Sequence, residues 1–122
     1  MEFNSSAPIW LQLVDECSRR IVTGEWPAGS KMPGVRELGV ELGVNPNTMQ
    51  RALAELDRTG VTIPDRTIGR YVTEDTARID ELRESVAADS ADDYIHRARG
   101  LGMSLAAAQK LLTNRWHHTE GD

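Results

Sequence analysis

Between Val35 and Arg58 the sequence sets two short amphipathic segments on either side of a very short turn, and this arrangement limits what the chain can become. Val35, Leu38 and Leu42 space a helix that stops at Gly43. After Val44-Asn45-Pro46 a second helix runs to about Thr59, with Met49, Leu53 and Leu56 on one stripe and Ala52 beside it. Asn45 is a good N-cap, and Pro46 suits the first helical position because an N–H there has no intrahelical partner. Gly39 sits on or beside the first stripe, where glycine costs about 1 kcal/mol relative to alanine. Close packing of a neighbouring helix would account for it. The second helix opens with a crowd of short polar groups and carries Gln50 and Arg51 on its first exposed turn.

The flanking segments extend the pattern. Trp10, Leu13, Val14, Cys17 and Ile21 recur at steps of three and four, which predicts a helix from Ile9 to Gly24, followed by the Gly- and Pro-rich loop EWPAGSKMPG. Beyond Gly60, two β-rich pieces, Val61-Thr62-Ile63 and Arg70-Tyr71-Val72, flank a polar turn. Strands this short need helices to pack on. Ile79, Leu82, Val86, Tyr94, Ile95 and Ala98 fit one long helix to about Gly100, and a break would fall near Asp89 to Asp92. Ser104 caps a last helix from Leu105 to about Trp116, with Ala108, Leu111 and Leu112 apolar. Two helices with a tight turn followed by a hairpin read as a winged helix-turn-helix, in which the second helix presents its N-terminal turn to base edges and phosphates. The fold class is mainly α with a small β-hairpin.

Composition narrows the function. At 39% apolar and 27% charged, the 122 residues are near the globular average. The single Cys17 reads as a small core residue in a reducing compartment and excludes a multi-cysteine zinc site. No apolar run approaches a membrane span, and MEFNSSAPIW has no secretory pattern, so a cytoplasmic protein with no membrane partner is expected. The net charge of −5 counts against strong non-specific DNA binding. Its distribution is uneven. Residues 1–72 carry 8 Lys and Arg against 9 Asp and Glu, whereas residues 73–122 carry 6 against 10. A near-neutral front half can still present a local basic face. No phosphate loop, HExxH or serine elbow is present, so neither an enzyme nor a cofactor is expected. The adjacent His117 and His118 point in different directions from a helix end, which reads as a frayed terminus rather than a metal site, and His96 is assigned nothing.

From Pro8 to Val72 the chain resembles the DNA-binding domain of the GntR family of bacterial transcription regulators. The matching pieces are Pro8-Ile9-Trp10-Leu11-Gln12, Ala28-Gly29 through Met32-Pro33-Gly34-Val35-Arg36-Glu37-Leu38-Gly39, Thr48-Met49-Gln50-Arg51-Ala52-Leu53, and Ile68-Gly69-Arg70-Tyr71-Val72. The run from Asn45 to Ala52 and the short tail are most similar to the YtrA subfamily. The resemblance implies a winged helix-turn-helix over residues 1–73 and a two-helix dimerisation extension over 74–122. It also implies a homodimeric regulator, usually a repressor, on a pseudo-palindromic operator. An effector that released DNA would have to sit in or near the helical pair. Three departures stand out. Gly34 replaces the motif's serine, Thr67 replaces the first wing glycine and leaves only Gly69 to turn the tip, and Thr62 stands in an apolar strand position and is expected to loosen the hairpin.

The candidate DNA contacts are Arg36, Asn45, Asn47, Thr48, Gln50, Arg51, Arg66, Thr67, Gly69 and Arg70. Arg can pair with guanine and Gln with adenine in the major groove. Competing readings exist for several of them. Arg36 could pair with Glu37 or Glu41, Arg51 with Glu55 at i,i+4, and Asn45 reads better as a cap than as a reader. At the wing, Arg66, Thr67 and Arg70 suit a solvated turn as well as a groove contact. Trp10, Trp26 and Tyr71 read as core or near-core. Ile79, Leu82, Val86, Tyr94, Ile95, Leu105, Leu111, Leu112 and Trp116 are the candidate dimerisation residues. A rival reading is a winged-helix protein-interaction module with an acidic helical docking tail.

Overall fold

A computed structural model of the chain describes residues 1–120. Its elements follow in the order α1 (Ile9–Val22), α2 (Val35–Leu42), α3 (Pro46–Arg58), β1 (Thr62–Asp65), β2 (Gly69–Val72), α4 (Thr76–Gly100) and α5 (Leu105–Glu120). They divide into two compact units, Met1–Val86 and Ala87–Asp122. No helix among the described residues is long and apolar enough to cross a membrane.

The first unit is built on the stripes the sequence displays. Leu13, Cys17 and Ile21 of α1 meet Met49, Ala52, Leu53 and Leu56 of α3, with Leu38 and Leu42 of α2 and with Val61 and Val72 closing the core. Each fully buried leucine here contributes about 2 kcal/mol relative to exposure. Burial pushes the Cys17 thiol up to about 12, so it is an inert core group. Helix α2 starts at Gly34 with no side-chain cap, as the missing serine implies, and ends at Gly43 in the left-handed conformation with φ +72°. Gly39 is fully covered, but by the turn rather than by the flank of a neighbouring helix. A Cβ there would stand 3.0 Å from the Val44 carbonyl oxygen and 3.9 Å from Pro46 Cα. The Val44 N–H donates back to the Gly39 carbonyl at 2.9 Å.

The hairpin pairs antiparallel, Thr62 with Val72 through Asp65 with Gly69, and extends nearer the tip than the sequence suggests. A third segment joins it. Lys31 bridges to Tyr71, the Met32 N–H donates to the Arg70 carbonyl at 2.9 Å and the Val72 N–H to the Ser30 carbonyl at 2.9 Å. The loop after α1 therefore covers the free edge of β2.

The first compact unit runs on to Val86, past the division expected after residue 73. Ile79 and Leu82, assigned to dimerisation on sequence, are buried in the core of the first unit. Arg78 Nε donates to the Thr59 carbonyl at 2.7 Å and an Arg83 N–H to the Val22 carbonyl at 2.9 Å. The first turns of α4 thus close the ends of α3 and α1. Apolar residues on a helix following a small domain are drawn into that domain's core when it would otherwise be open to water.

Helix α4 has no break at Asp89 to Asp92. In the second unit it turns through Gly102 (φ +78°) into α5, which Ser104 caps by accepting from the Ala107 N–H at 3.1 Å. Tyr94 is half-buried and its hydroxyl donates to the Ala108 carbonyl at 2.8 Å, so its polar end is engaged inside the hairpin. Ala98 and Ala108 are the buried apolar side chains of this unit among the described residues. Ile95, Leu105, Leu111, Leu112 and Trp116 remain exposed, Trp116 at 69%, and Val86 at the edge of the first unit is 37% exposed. His117 and His118 are helical rather than frayed, with His117 Nδ1 3.7 Å from a Glu120 carboxylate oxygen.

The covered position of Gly39 predicts that Gly39→Val lowers stability by about 2 kcal/mol, because the branched side chain collides with the Val44 carbonyl. Urea unfolding of the two proteins would measure it, and an unchanged midpoint would contradict the close approach.

Candidate nucleic-acid interface

The wet face of α3 follows from its dry one. With Met49, Ala52, Leu53 and Leu56 buried, Asn47, Gln50 and Arg51 are exposed and Thr48 is half-buried. Asn45 is the N-cap, its side-chain oxygen accepting from the Asn47 N–H at 2.7 Å. Its oxygen therefore serves the helix, while its amide nitrogen stays free to donate. Pro46 has no N–H, and Met49 N–H donates to the Asn45 carbonyl at 3.1 Å. The Thr48 N–H is left with no partner among the described residues, at the positive end of the helix dipole.

Most arginines of the first unit are engaged with protein acceptors. Arg20, 5.4 Å from the Trp26 ring centroid, donates to Glu16 at 2.8 Å and to Glu41 at 2.6 Å and forms a further ion pair with Glu25 at 3.2 Å. Arg19 pairs with Glu16, Arg58 with Glu55, Arg78 with Glu81 and Arg83 with Asp80. The hydrogen bonds from Arg19 and Arg20 outweigh partial desolvation and hold the Glu16 carboxyl below its ordinary range. Arg36, Arg51 and Arg66 differ, since none of the three donates a hydrogen bond to a described residue, and all three are exposed. The pairings weighed for the first two on sequence do not form, because Glu41 is taken by Arg20 and Glu55 by Arg58. Arg51 instead lies over Trp10 of α1, its guanidinium carbon 4.3 Å from the ring centroid.

Arg70 does not sit as a free wing residue. Its Nε and a terminal nitrogen each donate at 2.9 Å to the two oxygens of Asp57 on α3, and its side chain is 12% exposed. Thr62, expected to loosen the hairpin, is fully buried and donates to the same Asp57 oxygen at 2.6 Å. A hydroxyl in an apolar position is tolerated because it completes a hydrogen-bonded cluster. Asp57, which sequence reasoning passed over, thereby clamps the wing to the recognition helix. Its one local signal is its place in the last turn of α3, where a carboxylate opposes the helix dipole and so needs another reason to be there.

At the tip, Asp65 replaces the missing glycine. Its carboxylate accepts from the Ile68 and Thr67 N–H groups at 3.0 and 2.8 Å, and these bonds hold its pKa below the usual aspartate range. Such an Asx turn lets Thr67 occupy the bend, while Gly69 takes the positive φ of 102°. Arg66, Thr67 and Gly69 are all exposed there.

A helix-turn-helix with a three-segment wing, carrying on α2, α3 and the wing tip guanidinium groups that donate to no described residue, defines a winged helix-turn-helix DNA-binding protein. The family model described as "Bacterial regulatory proteins, gntR family" matches residues 11–72. The HTH-type transcriptional regulator YhcF of Bacillus subtilis, itself uncharacterised, is 34% identical over 98% of this chain and 97% of its own length. The HTH-type transcriptional repressor YtrA of the same organism is 37% identical over 57% of this chain and 54% of its own. Among solved structures, a GntR family transcriptional regulator from Listeria monocytogenes superposes with a TM-score of 0.81 at 38% identity, covering 92% of this chain and 98% of that one. The chain belongs to the GntR family. It is a DNA-binding transcriptional regulator of YtrA-like kind and not an enzyme.

Replacing Asp57 by alanine would leave the Arg70 guanidinium and the Thr62 hydroxyl without their acceptor. A loss of about 3 kcal/mol in stability is expected, read by thermal unfolding. Arg70→Lys would cost less but not nothing, since an ammonium cannot make the paired contact. Wild-type stability in Asp57→Ala would contradict the clamp.

Proposed function

We propose that this chain is a homodimeric repressor that reads a two-fold symmetric operator. The observation that carries the reading is the sorting of the arginines: those that donate no hydrogen bond to a described residue lie on α2, α3 and the wing tip. In this reading the N-terminal turn of α3 enters the major groove. Gln50 and Arg51 meet base edges, while Asn47, Thr48 and the free Thr48 N–H meet phosphate, with Arg36 and the Asn45 amide alongside. Arg66, Thr67 and Gly69 approach the neighbouring minor groove, and Arg70 acts from behind by holding the wing.

The dimer rests on the helical hairpin. A unit this short is below the roughly 40 residues at which a chain sustains its own core, and it leaves Ile95, Leu105, Leu111, Leu112 and Trp116 in water. A second copy covering these residues would bring two α3 helices into one assembly, and a two-fold operator offers them half-sites about 34–36 Å apart, one turn of DNA. Repression is supported by the name of the YtrA relative, and by the simplest consequence of a dimer seated on a promoter, which is to exclude polymerase. Such a protein works in the cytoplasm. An effector would release DNA only by binding one dimer geometry better than the other, and the hairpin is where it would act.

Selection from a random duplex pool should enrich a palindrome with two equal half-sites, and affinity for it should fall steeply with salt. Arg66→Ala should weaken binding across all sequences and reduce the log–log salt slope by about 1. Failure to enrich any site would overturn the reading.

The hairpin contact predicts that Leu112→Glu yields monomers in sedimentation and lowers operator affinity by at least about tenfold. A variant that stays dimeric would move the interface elsewhere.

A further inference from the structure

We infer that Trp10, on α1 and outside the DNA-facing helices, is a positioning residue that sets the guanidinium of Arg51 for base reading. The inference rests on the proposed contact between Arg51 and DNA. Two arginines in the first unit lie over indole rings, and they differ in one respect. Over Trp26, Arg20 donates from its edge to Glu16 and Glu41 and pairs with Glu25. Over Trp10, Arg51 lies closer, at 4.3 Å, and donates to no described residue.

A guanidinium has two kinds of surface. Its flat face is attracted to the π-cloud of an aromatic ring, and its edge carries five N–H donors in a rigid fork. Over Trp10 the guanidinium carbon of Arg51 lies 4.3 Å from the ring centroid, and none of its N–H groups donates to a described residue. That differs from a salt bridge, which would occupy the donors needed for a bidentate contact with guanine. A long exposed arginine otherwise samples many rotamers and must give up that freedom on binding. Held over Trp10, Arg51 has less of that freedom to give up when DNA arrives. Trp10 is half-buried on α1, and α1 shares with α3 the core that includes Leu13 and Leu53, so the ring is held by the same packing that holds the reading helix.

The experiment is a double-mutant cycle on the enriched operator with the full-length dimer, using Trp10→Leu, Trp10→Phe, Arg51→Ala and the double variant Trp10→Leu/Arg51→Ala. Melting temperatures would confirm that each is folded at the assay temperature. Trp10→Leu is expected to weaken binding about 3- to 10-fold and Trp10→Phe by less than about 2-fold, because phenylalanine retains a π face. In the Arg51→Ala background, Trp10→Leu should add almost nothing. A second readout is specificity. Trp10→Leu and Arg51→Ala should both relax the preference at the same base pair in each half-site, an effect that simple loss of packing would not produce. Additive losses, or a relaxed base pair different from that of Arg51→Ala, would overturn the positioning role. If Arg51→Ala binds like the parent while Gln50→Ala is weakened, it is the reading of Arg51 as a DNA contact that falls, and the role of Trp10 with it.

Discussion

Burial of one stripe of α3 against α1 is the contact on which the remaining structure depends. Met49, Ala52, Leu53 and Leu56 can leave water only by turning one side of the helix inward, and Leu13, Cys17 and Ile21 provide the surface that receives them. The opposite side then has no choice but to face out. Asn47, Gln50 and Arg51 are presented because their neighbours in sequence are buried, so the same few residues that stabilise the domain also decide which side chains of α3 reach water. The tight turn completes the arrangement. Gly39 lets the Val44 carbonyl lie against α2, and Asn45 fixes where α3 begins.

Charge is the second organising constraint, and it works through pairing rather than through total. A chain with a net charge of −5 makes an unpromising partner for a polyanion. Several carboxylates of the first unit are paired with arginines, as in the cluster around Arg20 and the clamp at Asp57. The arginines that this pairing leaves without a carboxylate are Arg36, Arg51 and Arg66. Arginines that look equivalent in sequence therefore divide into structural and available ones. Arg70 lies only four residues from Arg66 but falls on the other side of that division.

Much of the fold was legible because it rests on local patterns. Periodicity located the helices, Asn45 and Pro46 marked the start of α3, and the Gly-rich pieces marked the turns. The errors share a cause in contacts between residues far apart in sequence. Ile79 and Leu82 looked like dimer residues because they lie beyond the wing, yet they close the core of the first unit. Thr62 looked like a flaw in the hairpin because its partner, Asp57, belongs to the preceding helix. The missing wing glycine looked like a lost turn because the two N–H groups that Asp65 accepts become visible only once the chain bends.

By itself the sequence determined that a helix-turn-helix and a hairpin would form, and which side of each helix would be dry, because periodicity, caps and turn residues act over a few positions. Tertiary structure alone decided which polar side chains remain available. Whether Arg70 reaches for DNA or for Asp57, and whether Arg51 pairs with Glu55 or stacks on Trp10, depends on groups brought together from 13 and 41 positions away. A hydrogen bond or ring stack forms only at contact distance, and contact between distant residues exists only after the core has packed.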